Sequence, residues 1–146
     1  MKTLYFFILL VVGLSCTAQT FDALKIQPNE IPVGFVATEE EQCISIQACT
    51  FYESPEIYEG FMGKLKQKAI QNFVNGKDSG CIMYFEFEKK FTMQSFLQGL
   101  LWGGKKATNE HPEEIYINDK WLVIYSFPLK NELKEVSKAK VVAVLK

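Results

Sequence analysis

Arginine is absent from this 146-residue chain, and histidine occurs once. Nucleic-acid binders carry a basic excess and arginine forks for phosphate and guanine. Here 16 lysines stand against 17 acids, a formal net charge of −1, which argues against nucleic acid as a partner. After residue 14 no segment is apolar for long enough to cross a bilayer, so no integral membrane span is expected. Internal repeats and linkers are missing too, and the length suits one domain. Disorder is excluded from the other side: 48% of residues are hydrophobic and 14% aromatic.

The chain opens as an address. Lys2 supplies a positive charge, residues 4–14 are apolar, and the small residues Ser15, Cys16, Thr17 and Ala18 follow. This pattern reads as a signal peptide over residues 1–18, with cleavage after Ala18 and export to the periplasm or the cell exterior. The alternative is lipidation at Cys16, because Leu14-Ser15-Cys16 resembles a bacterial lipoprotein signal, with Gly13 at the position three residues before the cysteine. An acylated Cys16 would tether the domain to a membrane face.

The remainder reads as an extended lead-in over residues 19–32 and a single α+β domain over residues 33–146. Residues 33–37 and 43–52 read as a hairpin around the acidic tip Glu39-Glu40-Glu41, because Ile44, Ile46 and Ala48 alternate with Ser45 and Gln47. Ser54 and Pro55 open what reads as the clearest helix, with Phe61, Leu65, Ala69 and Phe73 four residues apart and Asn75-Gly76 as its stop. Residues 81–88 form a strand with Met83, Phe85 and Phe87 on its core face. Thr92 caps a short helix that ends at Gly103-Gly104, and residues 114–127 form a second hairpin. Leu129, Leu133 and Val136 predict a last helix, and the β-branched residues 141–145 a closing strand. The predicted order is β-β-α-β-α-β-β-α-β: a largely antiparallel sheet with helices packed on one face.

Candidate chemistry is sparse. Cys43 and Cys49 would lie about 20 Å apart on an extended strand, at ~3.3 Å per residue, so any disulfide formed in an oxidising compartment joins Cys81 to Cys43 or Cys49; the alternative is three buried thiols acting as small apolar residues. His111 lies in a polar loop with Pro112, Glu113 and Glu114, which is no metal-ligand spacing. No metal and no cofactor are expected. The glycines of Gly103-Gly104-Lys105-Lys106 follow a helix rather than precede one, the wrong polarity for a phosphate loop. Glu86 and Glu88 would lie about 7 Å apart on one strand face, at two-residue strand spacing, close enough for glycosidic acid-base work. Trp102 beside Lys105 and Lys106 reads as an interaction edge, since aromatics with polar tips favour recognition surfaces.

The expectation is a small, exported, soluble domain that is non-enzymatic and binds a protein or a small ligand. The alternatives are an envelope lipoprotein tethered at Cys16 and a small hydrolase using Cys81 or the carboxylate pair.

Overall fold

The computed structural model describes residues 21–103 and 106–146. The signal segment, Cys16 and Lys105 lie outside the described residues. Five antiparallel strands form one sheet: β1 (Val36–Thr38), β2 (Leu65–Val74), β3 (Gly80–Phe87), β4 (Glu114–Asn118) and β5 (Trp121–Ser126). Their spatial order is β1-β2-β3-β5-β4. Four α-helical segments lie wholly among the described residues: α1 (Ile46–Glu53), the single turn α2 (Glu59–Met62), α3 (Gln94–Trp102) and α4 (Glu132–Val144). The chain is α+β with an antiparallel sheet, as its patterning implies. Among the described residues no helix is long and apolar enough to cross a membrane.

The centre of the fold is β3, buried along its whole length. Successive side chains of a strand point to opposite faces. Ile82 and Tyr84 therefore join one apolar cluster with Phe21, Leu24, Phe73, Val123, Leu133 and Val141. Cys81, Met83, Phe85 and Phe87 join another with Ala48, Phe51, Leu97, Leu101, Leu122 and Ile124. Helix α4 and the segment around Phe21 cover the first face; α1, α2 and α3 cover the second. Helices thus pack on both faces, where one was expected. The signal is in the strand itself: residues 81–85 are apolar at nearly every position, which marks a strand between two layers.

Three further expectations are corrected. The predicted strand over residues 43–52 is largely helix α1. Ser45 caps it, its Oγ accepting from the Ala48 amide at 3.3 Å, and Ala48 and Phe51, one helical turn apart, form its buried side. The predicted long helix after Pro55 is instead a 3-10 turn over Pro55–Tyr58, the single turn α2, and strand β2. Gly63, at φ 90°, ends α2 in a conformation that L side chains resist. A spacing of four is also an even number, so it keeps Ala69 and Phe73 on one face of a strand just as it would on a helix. Leu65 alone departs: a register shift between Leu65 and Gln67 turns it to the opposite cluster. The predicted closing strand over residues 141–145 is the end of α4, where Val141 packs one helical repeat beyond Leu133 and Ser137.

The predicted lead-in is not extended either. Residues 21–24 are helical, Pro28–Glu30 form a 3-10 turn, and Phe21, Leu24 and Ile26 are buried. Gln71 secures this segment: its Oε1 accepts from the Ile26 amide and its Nε2 donates to the Ile26 carbonyl, at 2.8 and 2.9 Å. Tyr84 Oη donates to the same Oε1 at 2.8 Å. The β4–β5 hairpin forms as expected, with Asp119 at φ 50° in its turn.

Two glycines give opposite expectations. A Cβ on Gly80 would stand 2.5 Å from Phe127 Cδ1 and closer still to the Ser126 carbonyl, whereas one on Gly99 in α3 meets nothing within 4 Å. Gly80→Ala is expected to lower unfolding free energy by about 1–3 kcal/mol through overpacking. Gly99→Ala should raise it by roughly 0.5–1 kcal/mol. Urea unfolding of the two variants checks both.

Candidate functional site

A cleft of about 430 Å³ opens between α2 and the connection from β3 to α3. Phe61, Met62, Phe87 and Met93 supply its apolar lining; Glu59, Lys64, Glu88, Lys89 and Lys90 supply its charge. The walls are fixed by backbone bonds. The Glu88 amide donates to the Lys64 carbonyl at 2.9 Å, Phe87 to Lys120 at 2.9 Å, and Phe91 to Asp119 at 2.8 Å. Phe87 and Phe91 pack ring on ring beneath, with centroids 5.0 Å apart.

Phe61 projects outward, 62% exposed, and stacks on Phe96 of α3 with centroids 5.2 Å apart and planes 10° apart. One face of the Phe61 ring is thus taken by Phe96, and the ring still leaves a large apolar surface open on the rim of the cleft. Lys64 and Glu88 neutralise each other across the cleft at 3.0 Å, and the Glu88 carboxylate holds the Lys64 ammonium above its ordinary pKa. Lys89 and Lys90 are exposed and make no ion pair among the described residues, which leaves two cations against Glu59.

The residues singled out from the sequence are dispersed. Trp102 is half-buried on the second core cluster, and its indole N–H donates to the Glu113 carbonyl at 2.8 Å. Lys106 is exposed. Cys43 pairs with Cys49, not with Cys81. The cap at Ser45 and the first turn of α1 bring the two Cα atoms to 5.9 Å, whereas a strand would hold them far apart. Cys81 is a buried free thiol. Burial foremost, then the nearby charges of Glu41 and Glu113, push it up to about 12, so it carries no thiolate at neutral pH.

The carboxylates are likewise separated. Glu88 lies beyond the end of β3. Glu86 is fully buried and takes hydrogen bonds from Lys66, Gln67 and Lys120. Burial pushes its carboxyl up, but the bonds from Lys120, Lys66 and Gln67 outweigh burial and hold it below the ordinary range. Glu114 is committed to Lys134 and Lys138, at 2.5 and 2.9 Å. Its neighbour Glu113 is buried and accepts from Ser126 Oγ at 3.3 Å. His111 is half-buried, its amide donating to Thr108 Oγ1 at 3.2 Å.

Comparison with protein-family models, curated proteins and solved structures returns no match. The site is therefore read from its own geometry. Sequence patterning offers little warning of the cleft, because Phe61 fits a helix-core period with Leu65, Ala69 and Phe73. The available signal was Gly60 and Gly63 on either side of Phe61, which disfavour a long helix through that region.

Two outcomes test these assignments. Maleimide labelling followed by peptide mapping should leave Cys43, Cys49 and Cys81 unlabelled in the native, unreduced protein. Unfolding without reduction should expose Cys81 alone of these three. For Glu86 the sign follows from its lowered pKa: the unfolded carboxyl takes up a proton first as pH falls. Its contribution is full above the ordinary value of 4.5 and lost as pH drops through the lower, folded value. Glu86→Gln is expected to cost roughly 1.5–3 kcal/mol at neutral pH, the range for hydrogen bonds to a charged group. It should also flatten the acid limb of stability measured by urea unfolding.

Proposed function

We propose that this chain is an exported, non-enzymatic domain that binds an amphipathic anionic ligand, a small molecule or a peptide segment, in the cleft beside α2. The observation that carries the reading is Phe61, exposed and stacked on Phe96 at the mouth of an apolar-floored cleft whose unpaired charges are predominantly basic. An apolar surface with a few placed polar groups is the usual make-up of a ligand site. Phe61 offers a flat apolar face, and Lys89 and Lys90 offer charge to an acid at the other end of the ligand. The disulfide is compatible with export, since such bonds persist in oxidising compartments. Hydrolysis is less favoured by the same residues: the Cys81 thiol is protonated, and Glu86 is tied to three donors.

The dye 8-anilinonaphthalene-1-sulfonate, apolar at one end and anionic at the other, is a direct probe. Saturable binding to the folded protein is expected. Phe61→Ala should weaken it about tenfold, the effect of losing ~1.4 kcal/mol at an aromatic anchor. Lys89→Glu with Lys90→Glu should weaken it further, and high salt should mimic that change. Absence of saturable binding, or binding indifferent to Phe61→Ala, would overturn the reading.

A further inference from the structure

The loop leading into α1 places two sulfurs and a carboxylate together. The two sulfurs of the Cys43–Cys49 disulfide and one Glu41 carboxylate oxygen lie within 4.8 Å of one another. Cys43 and Cys49 are half-buried and Glu41 is exposed, so the group opens to solvent. From this convergence we propose that the reduced loop is a binding site for a thiophilic divalent cation of the zinc class, and that the Cys43–Cys49 disulfide closes it. This site is separate from the cleft beside α2 and does not depend on the reading of that cleft.

The argument rests on what holds the loop in place. The Gln42 amide donates to Asn72 Oδ1 of β2 at 3.1 Å. The Ile44 amide donates to Ser126 Oγ of β5 at 3.1 Å. Ser45 caps α1 through the Ala48 amide, and the Cys49 amide donates back to the Ser45 carbonyl at 3.1 Å. None of these bonds involves sulfur. The loop is pinned on both sides of Cys43, and Cys49 is fixed in the first turns of a helix whose Ala48 and Phe51 are in the core. A bridge between residues only six apart constrains the unfolded chain less than a long-range bridge would. Reduction therefore leaves the two thiols facing each other, with Glu41 beside them.

Chemically the set is apt. Two thiolates and one carboxylate are ligands for zinc, and solvent supplies a fourth position. With metal–sulfur bonds of about 2.3 Å, a tetrahedral centre needs the sulfurs about 3.8 Å apart. Side-chain rotation of the two cysteines covers that opening. Two electrons and two protons from a dithiol reductant convert the disulfide to two thiols, while the reductant closes to its own disulfide. The cation then displaces both thiol protons. Oxidation and metal binding compete for the same two sulfurs, so the site reports redox state.

Cobalt(II) supplies the test, because thiolate coordination gives it a near-ultraviolet charge-transfer band that carboxylate binding does not. The full chain is reduced with a phosphine and titrated with Co²⁺, then with Zn²⁺ in competition. A one-to-one complex with that band is expected for the reduced protein and none for the oxidised one. Cys49→Ser should abolish the band. Glu41→Gln, an exposed change that leaves the fold alone, should weaken the metal at least tenfold. Cys81→Ala should leave the band intact. The proposal is overturned if the reduced, folded protein shows no band, if the band survives Cys49→Ser, or if Glu41→Gln leaves affinity unchanged. Loss of far-ultraviolet helical signal on reduction alone would also overturn it, since the argument holds that the loop stands without the bridge.

Discussion

The fold depends on one strand being buried twice. β3 has no solvent face: Ile82 and Tyr84 close one apolar cluster, and Met83, Phe85 and Phe87 close the other. A strand in that position obliges its neighbours to supply two layers, and β2 and β5 extend the sheet on either side of it. Each helix then has a defined place, because each carries only enough apolar surface to cover part of one face. Gly80 admits β3 to its place beside Ser126 and Phe127, where a larger residue would collide with both.

Three polar side chains that enter this interior, Glu86, Lys134 and Gln71, are tied by hydrogen bonds. Glu86 lies on the face of Ile82 and Tyr84 but draws Lys66, Gln67 and Lys120 over itself, converting a polar intrusion into a seam between β2, β3 and the β4–β5 turn. Lys134 is fully buried in α4, yet its ammonium reaches Glu114 and the Leu129 carbonyl. Gln71 serves the segment around Ile26 in the same way. These bonds fix register and docking more than they add net stability, since each is exchanged for hydration. They also explain why Glu86 and Glu114 make weak catalytic candidates: each carboxylate already has lysine partners.

What remains uncommitted is at the periphery. The cleft combines an exposed ring with Lys89 and Lys90, which make no ion pair among the described residues, and the loop before α1 places paired sulfurs beside the exposed Glu41 carboxylate. Both follow from short segments held by distant ones. The cleft walls hang on carbonyls of the β4–β5 turn and of Lys64, and the cysteine loop hangs on Asn72 and Ser126. Neither arrangement is a local property of the residues that form it.

The sequence alone determined the α+β class, strand β3, the β4–β5 hairpin, helix α3 with its glycine stop, and the absence of arginine-based recognition. These features rest on strong alternation, on turn residues, or on composition, all of which act over a few residues. Tertiary structure decided the rest. A period of four in residues 65–73 fits helix and strand alike, and only pairing with β3 and β1 settles it as strand. Residues 46–53 and 141–144 carry β-branched or alternating residues, yet they fold as helices because Ala48, Phe51 and Val141 then face the core. The disulfide followed the same rule. Six residues separate Cys43 from Cys49 in either conformation, and only the cap and turn that packing imposes make that separation short enough to bridge.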